Sequence, residues 1–217
     1  MKIAILGASG GCGRELVKQA VQRAHEVTAV GRAGSQLDVP DGVRVVRCDL
    51  MDEDALADAF AGVDVVFSAI GLNLPGLSPF SRAEVPDLLS RTAPVIVAAM
   101  KRAQVGRIIA ISAGGVGDSK SIMPGFYRFL VALTSMRSLY PELEAMEAVY
   151  AQSGLDVCCV RPTTLTDGPM TGSAVVASKL IGQADIPRAD VAQWMLNAAE
   201  QDCFPVFGPV LTVRGAG

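Results

Sequence analysis

Residues 2–32, KIAILGASGGCGRELVKQAVQRAHEVTAVGR, decide how the rest of the chain is read. Ile3, Ala4, Ile5 and Leu6 form a short apolar run without polar alternation, the pattern of a strand covered on both faces in a parallel sheet. The glycine-rich turn Gly7-Ala8-Ser9-Gly10-Gly11-Cys12-Gly13 follows at once. Leu16, Val17, Ala20, Val21 and Ala24 then recur at helical spacing, with Arg14, Glu15, Lys18, Gln19 and Arg23 on the other face. Residues 27–30 make a second apolar strand, closed by Gly31 and Arg32.

A glycine turn between a strand and a helix has a physical purpose. Gly7 can take backbone angles closed to other residues. Gly10 and Gly11 allow a diphosphate to approach the chain with no Cβ in the way, and Gly13 allows the helix to pack close to the sheet. The helix start adds unpaired N–H groups and the positive end of its dipole. The spacing is G-x-x-G-x-x-G, not G-x-G-x-x-G, and glycines alone also occur in purely structural turns. The strand–turn–helix–strand setting favours dinucleotide binding, with Ser9 and Cys12 as the remaining backbone contacts of the turn.

Composition narrows the alternatives. The chain has 217 residues, half of them hydrophobic and 19% charged, which suits one domain with a full core and excludes disorder. A net charge of −3 offers no basic footprint for nucleic acid. No apolar run approaches the length of a membrane span, and the run after Met1-Lys2 stops at Gly7, too soon for a signal peptide. Cys12, Cys48, Cys158, Cys159 and Cys203 are odd in number and lack C-x-x-C spacing, so neither a disulfide framework nor a metal site is expected. Cys158 and Cys159 are expected on opposite sides of one strand. The expected location is cytoplasmic, and the expected state a monomer or homodimer.

The same alternation continues along the chain. Residues 43–48 read as a third strand. Asp52 caps a helix with Ala55, Leu56, Ala59 and Phe60 on its apolar face and Gly62 as its stop. Residues 63–68 are a fourth strand and 72–80 a loop. A helix broken or kinked at Pro94 then carries Val95, Ile96, Ala99 and Met100, and residues 107–111 are a fifth strand. The segment 121–140 keeps helical spacing through Phe126, Phe129, Leu130, Leu133, Met136 and Tyr140, as a core or dimer helix or as a lid. Pro141 is expected to start a new helix. Residues 155–160 form a sixth strand, residues 161–165 lead into a substrate-side loop, a late helix begins at Arg188 or Asp190, and residues 210–213 end the pattern. This predicts a single α/β domain, a doubly wound parallel sheet with helices on both faces and a ligand crevice at the carboxyl ends of the strands. The glycine turn, Arg32, Asp49, Ala69, Ile70, Gly71 and Ser112 all fall at such ends.

The end of the second strand bears on which dinucleotide binds. An acidic residue there would accept hydrogen bonds from the adenosine ribose and repel a 2′-phosphate. This chain has Gly31 and then Arg32, whose guanidinium can hold a phosphate through two parallel hydrogen bonds. The expectation is NADP(H) over NAD(H). Asp49 and Leu50 are candidate adenine contacts, with a loop cap as the alternative role for Asp49.

Several stretches together resemble a family. G-A-S-G-G-C-G at 7–13, V-G-R at 30–32, C-D-L at 48–50, S-A-G-G at 112–115 and S-G-L-D-V-C-C-V-R-P-T-T-L-T-D-G-P at 153–169 are similar to the atypical short-chain dehydrogenase/reductases. The resemblance extends to their NmrA-like NAD(P)H-binding and flavin reductase (biliverdin-IXβ reductase) groups. It implies a Rossmann domain with phosphates on residues 7–13 and the nicotinamide beside Ala69, Ile70, Gly71, Ser112, Ala113, Pro162, Thr163 and Thr164. A small C-terminal portion would face the substrate.

One departure limits the chemistry. The short-chain dehydrogenases use Tyr-x-x-x-Lys, whose lysine lowers the tyrosine pKa. Tyr127, Tyr140 and Tyr150 are followed four residues on by Val131, Glu144 and Gly154, and the lysine position corresponds to Leu143. His25, the only histidine, lies far along the first helix and is expected to be exposed there. Hydride transfer to a small conjugated acceptor (a flavin, a quinone or similar) needs no tuned proton donor, and Ser112 is the candidate to contact that acceptor. A non-catalytic NADP(H)-binding regulator remains the alternative. Glu144 and Glu147 are expected as helix-surface charges, or else facing the crevice.

Overall fold

The computed structural model describes all residues except 72–84, 126–130, 132, 135, 180–183, 205 and 214–217. The loop expected at 72–80, Tyr127 and much of the 121–140 pattern lie outside the described residues. Strand β1 (Lys2–Leu6) runs into helix α1 (Gly11–Gln22), followed by β2 (Glu26–Gly31), β3 (Arg44–Arg47), α2 (Glu53–Phe60) and β4 (Val65–Ser68). Then come α3 (Leu88–Arg102), β5 (Arg107–Ile111), a short 3-10 turn (Gly117–Ser121) and α4 (Met136–Ala151). The chain continues through β6 (Asp156–Pro162), β7 (Thr164–Thr166), β8 (Ala174–Val176), β9 (Asp185–Pro187), α5 (Arg188–Ala199) and β10 (Val210–Val213).

Eight strands form one sheet in the order β3-β2-β1-β4-β5-β6-β10-β8. Every neighbouring pair is parallel except β10 with β8. The order 3-2-1-4-5-6 is that of a Rossmann fold, and its direction reverses between β1 and β4. Ile3 and Ile5 face one layer with α1 and α5, whereas Ala4 and Leu6 face the other with α2, α3 and α4. Both faces of β1 are covered, so Ile3, Ala4, Ile5 and Leu6 are all buried and the strand shows no alternation. Cys158 and Cys159 sit in opposite layers, as expected from adjacent strand positions.

Local chemistry accounts for most element ends. Asp52 Oδ1 accepts the Ala55 N–H at 3.0 Å and caps α2, and Gly62 (φ +71°) ends it. Helix α1 stops earlier than its apolar spacing implied. Ala24 takes φ +58° and is exposed, while His25 N–H bonds the Ala20 carbonyl at 3.0 Å and Ala24 N–H the Val21 carbonyl at 2.9 Å. This is a Schellman turn built on alanine in place of glycine.

Tertiary packing overrides other local signals. Helix α3 runs unbroken through Pro94, because Leu89, Ala93, Ile96, Val97 and Met100 bury its face against the sheet. Helix α4 likewise passes through Pro141 instead of starting there. Gln19 belongs to the buried side of α1, where its amide donates to the Ala189 carbonyl of α5 at 2.9 Å. Strand β6 continues through Arg161 and Pro162. The loop expected to follow it forms β7, which pairs in parallel with β9. Neither β8 nor β9 has enough residues to show a period.

Candidate functional site

At the point where the strand order reverses, the ends of β1, β2 and β4 open onto a cleft of about 290 Å³. Gly7 forms its floor at φ +73°, and a Cβ there would lie 2.6 Å from the Ala69 carbonyl oxygen. Gly10 N–H closes the turn onto the Gly7 carbonyl at 2.9 Å. A Cβ on Gly13 would fall 2.1 Å from that same oxygen, so only glycine lets α1 seat this close to the turn. Gly11 has another neighbour: a Cβ on it would collide with the Arg188 side chain. Arg14, absent from the sequence-based candidates, braces the turn by donating from Nη1 to the Ser9 carbonyl at 2.7 Å.

The helix start fits an anionic ligand. Gly10 occupies the N-cap and contributes no side-chain cap, and no acidic residue lies in the first turn. The N–H groups of Gly11, Cys12 and Gly13 have no protein acceptor among the described residues. Cys12 is buried in that turn. Burial pushes its thiol up to about 11, outweighing the opposing pull of Arg188, so it adds no negative charge.

The cleft continues past Val30, Gly31 and Arg32 to Leu50, and on the opposite side past Ala69, Ile70 and Gly71. Val85 and Leu88 complete this wall. Neither was among the sequence-based candidates, since helical spacing places a residue on an element but does not show which residues border a cleft. Arg32 is exposed on the rim, and its guanidinium has no ion-pair partner among the described residues. Its carbonyl accepts from Ser35 N–H at 3.0 Å and from Ser35 Oγ at 2.7 Å, which holds the turn that carries it. A Cβ on Gly31 would meet Ser35 Oγ at 2.6 Å and Leu37 Cδ1 at 3.0 Å, so the Ser35 and Leu37 side chains lie against this position. Leu50 is buried in the wall. Asp49 is exposed and its Oδ1 accepts the Met51 N–H at 3.0 Å, closing its own loop.

Ser112, Ala113, Pro162, Thr163 and Thr164 lie beyond that cleft, at the ends of β5 and β6. Backbone bonds join them: Ser112 N–H to the Val160 carbonyl at 2.7 Å, and Gly114 N–H to the Pro162 carbonyl at 2.9 Å. Ser112 is buried, yet among the described residues its Oγ has no hydrogen-bond partner, and neither does Oγ1 of Thr163. An unmade buried hydrogen bond costs about 1–3 kcal/mol, so these two hydroxyls at neighbouring strand ends are not satisfied by the chain's described residues.

No tuned proton donor stands beside them among the described residues. Tyr140 Oη donates to the Gly114 carbonyl at 2.7 Å. Tyr150 is locked in the core, where burial raises its phenol further, and Leu143 is buried at the lysine position. Glu147 is not a surface charge. It is buried and accepts from Arg161 Nε at 3.0 Å and Nη2 at 2.6 Å. Arg161 also reaches Asp118 and fits between Gly117 and Gly208, at either of which a Cβ would lie within 2.9 Å of its guanidinium. The Glu147 pair ties β6 to α4, and the Asp118 contact ties β6 to the turn after β5. Glu144 pairs with Lys120. His25 is not exposed either: its ring is covered and Nε2 lies 3.1 Å from Glu200 Oε1. That carboxyl is held below its ordinary range, with hydrogen bonds from Arg23 and His25 outweighing its partial burial.

Among the described residues, no cluster of metal-ligating side chains occurs and no helix is long and apolar enough to cross a membrane. The model for the NAD(P)H-binding family matches residues 7–202. Uncharacterized protein YwnB of Bacillus subtilis is 39% identical over 71 residues, 33% of this chain and 32% of its own length. A 3 beta-hydroxysteroid dehydrogenase/Delta 5-->4-isomerase of Mycobacterium tuberculosis is 27% identical over 175 residues, covering 75% of this chain and 46% of that protein. The match thus spans a third to a half of these relatives. Among solved structures, ChuY, an anaerobillin reductase from Escherichia coli O157:H7, superposes with a TM-score of 0.78 at 21% identity, covering 100% of this chain and 99% of that one. A short-chain dehydrogenase/reductase from Veillonella parvula in complex with NADP gives a TM-score of 0.76 at 18% identity, covering 99% and 95%. At such identities the likeness establishes the fold.

Proposed function

The chain belongs to the NAD(P)H-binding family, and from that premise we propose that it is an NADPH-dependent oxidoreductase passing hydride to a small conjugated acceptor such as a flavin or quinone. The observation that carries the proposal is the unpaired, buried Oγ of Ser112 at a strand end next to the dinucleotide cleft, with no tyrosine–lysine pair beside it. The cofactor supplies the hydride. The chain's residues bind and orient it: the glycine turn and the open N–H groups of α1 take the diphosphate, Arg32 takes the 2′-phosphate, and Leu50 packs against the adenine. Ser112 and Thr163 offer hydroxyls at the nicotinamide end, which Ala69, Ile70, Gly71, Ala113, Pro162 and Thr164 would help to enclose. An acceptor with a delocalised product draws its proton from solvent, so positioning the two rings suffices. The description of ChuY as a reductase accords with this. Two further parts of the reading, one domain and a cytoplasmic location, rest on composition alone.

The missing pair also favours a second reading, a non-catalytic NADP(H) sensor. The test mixes the protein with NADPH and a panel of flavins and quinones and follows the reduced-nicotinamide absorbance. Turnover with any acceptor supports the reductase. Tight NADPH binding with no oxidation across the panel overturns it in favour of the sensor.

A further inference from the structure

We infer that Arg188 is a second cationic ligand of the dinucleotide, gripping its diphosphate at the first turn of α1 after exchanging its present partner, Asp167. This rests on the dinucleotide reading above. Arg188 opens α5, far along the chain from the glycine turn, yet its side chain crosses to that turn. A Cβ on Gly11 would lie 2.6 Å from Arg188 Cδ and 2.8 Å from Nε. The Arg188 side chain therefore lies directly over Gly11, in the space that a side chain there would share. Gly11 is also the first residue of α1, whose open N–H groups gather an anion. The guanidinium thus stands beside the place those groups address.

The ion pair that now occupies Arg188 is lopsided. Nη1 donates to Asp167 Oδ1 at 2.8 Å, with the arginine side chain 29% exposed and the aspartate 90%. The arginine is anchored: its stem packs over Gly11, and Gln19 ties the first turn of α5 to α1 through the Ala189 carbonyl. Asp167 is a solvated carboxylate on a loop. That loop keeps its own hold on α5 without this pair, because Asp190 accepts Thr171 N–H and Gly172 N–H, each at 2.8 Å, and Thr171 Oγ1 at 2.6 Å. A pair with so exposed a partner contributes little. A guanidinium–diphosphate contact is charge-assisted and can be bidentate, so the exchange favours the dinucleotide.

Arg188 and Arg32 would act on different phosphates, which separates them experimentally. Calorimetric titration of the full chain with NADPH and with NADH, and competition by adenosine 2′-monophosphate, provides the readout. Arg188→Gln weakens NADPH and NADH by the same factor, roughly tenfold, and leaves adenosine 2′-monophosphate unchanged. Asp167→Asn, at an exposed position, tightens both dinucleotides several-fold by removing the competing carboxylate. If wild type binds neither dinucleotide, the dinucleotide reading itself fails. If wild type binds but Arg188→Gln matches it, or Asp167→Asn brings no tightening, the exchange alone is overturned. An Arg188→Gln effect confined to NADPH also overturns it, because that would place the arginine on the 2′-phosphate.

Discussion

Replacing Arg32 by alanine tests which dinucleotide the cleft prefers. The guanidinium lies on the rim one residue past β2, with no internal ion pair among the described residues to lose. The turn that carries it depends on its carbonyl, which Ser35 holds at 3.0 Å and 2.7 Å and which alanine retains. The substitution should therefore leave the fold unchanged and remove the rim cation proposed to hold the 2′-phosphate. A charge-assisted contact is worth about 1.5–3 kcal/mol, and an exposed rim position points to the lower part of that range. At 1.4 kcal/mol per decade, NADPH affinity should fall about ten- to thirtyfold. NADH, which lacks the 2′-phosphate, should bind as before. The assay is calorimetric or fluorescence titration with both nucleotides at low and at moderate salt, and the NADPH loss should shrink as salt rises. Equal effects on the two nucleotides, or none on either, would refute the assignment of Arg32 to the 2′-phosphate.

Gly13→Ala puts a Cβ 2.1 Å from the Gly7 carbonyl oxygen. It should cost about 2 kcal/mol or more in a denaturant titration and abolish NADPH binding, whereas near-native binding would show that the turn yields. Ser112→Ala removes a buried hydroxyl that has no partner. It should stabilise the nucleotide-free chain by about 1 kcal/mol while slowing NADPH oxidation, and a loss of stability would contradict the unpaired Oγ. Glu147→Ala leaves Arg161, 3% exposed, with the solvated Asp118 as its remaining ion-pair partner among the described residues. About 3 kcal/mol should be lost, read from the unfolding midpoint. Asp118 carries a pH signature: its hydrogen bond from Arg161 holds the carboxyl below the ordinary range. Its contribution is therefore complete above the unfolded value of about 3.9 and disappears as pH falls through the lower folded value. The stability difference between wild type and Asp118→Asn should shrink between about pH 5 and pH 2, and a flat difference would exclude that pairing.

The elements legible in the sequence are those whose signal lies within a few consecutive residues. Strand β1, the glycine turn, the start of α1 and β2 appear where residues 2–32 placed them, and Asp52 and Gly62 bound α2 as their chemistry requires. The misreadings arose where a local rule competed with distant packing. Pro94 reads as a break or kink and Pro141 as a helix start, yet both lie inside helices whose apolar faces are buried against the sheet. Gln19, His25 and Glu147 carry polar side chains at helix-surface spacing, and each is covered by a partner far along the chain: Ala189, Glu200 and Arg161.

The candidate site divides along the same line. Its phosphate half is encoded locally, because a glycine that needs φ +73° and a glycine that must clear a carbonyl lie six residues apart in one turn. By itself the sequence determined the fold class, the family of ligand and the absence of a tyrosine–lysine pair. Only the tertiary structure decided that the Arg188 side chain lies over Gly11, that Arg161 joins Glu147 of α4 to Asp118 in the turn after β5, and that Ser112 Oγ has no partner among the described residues. Backbone conformation follows from neighbours in sequence. A side chain's burial and its partner follow from which elements the sheet brings together, and no local pattern records that.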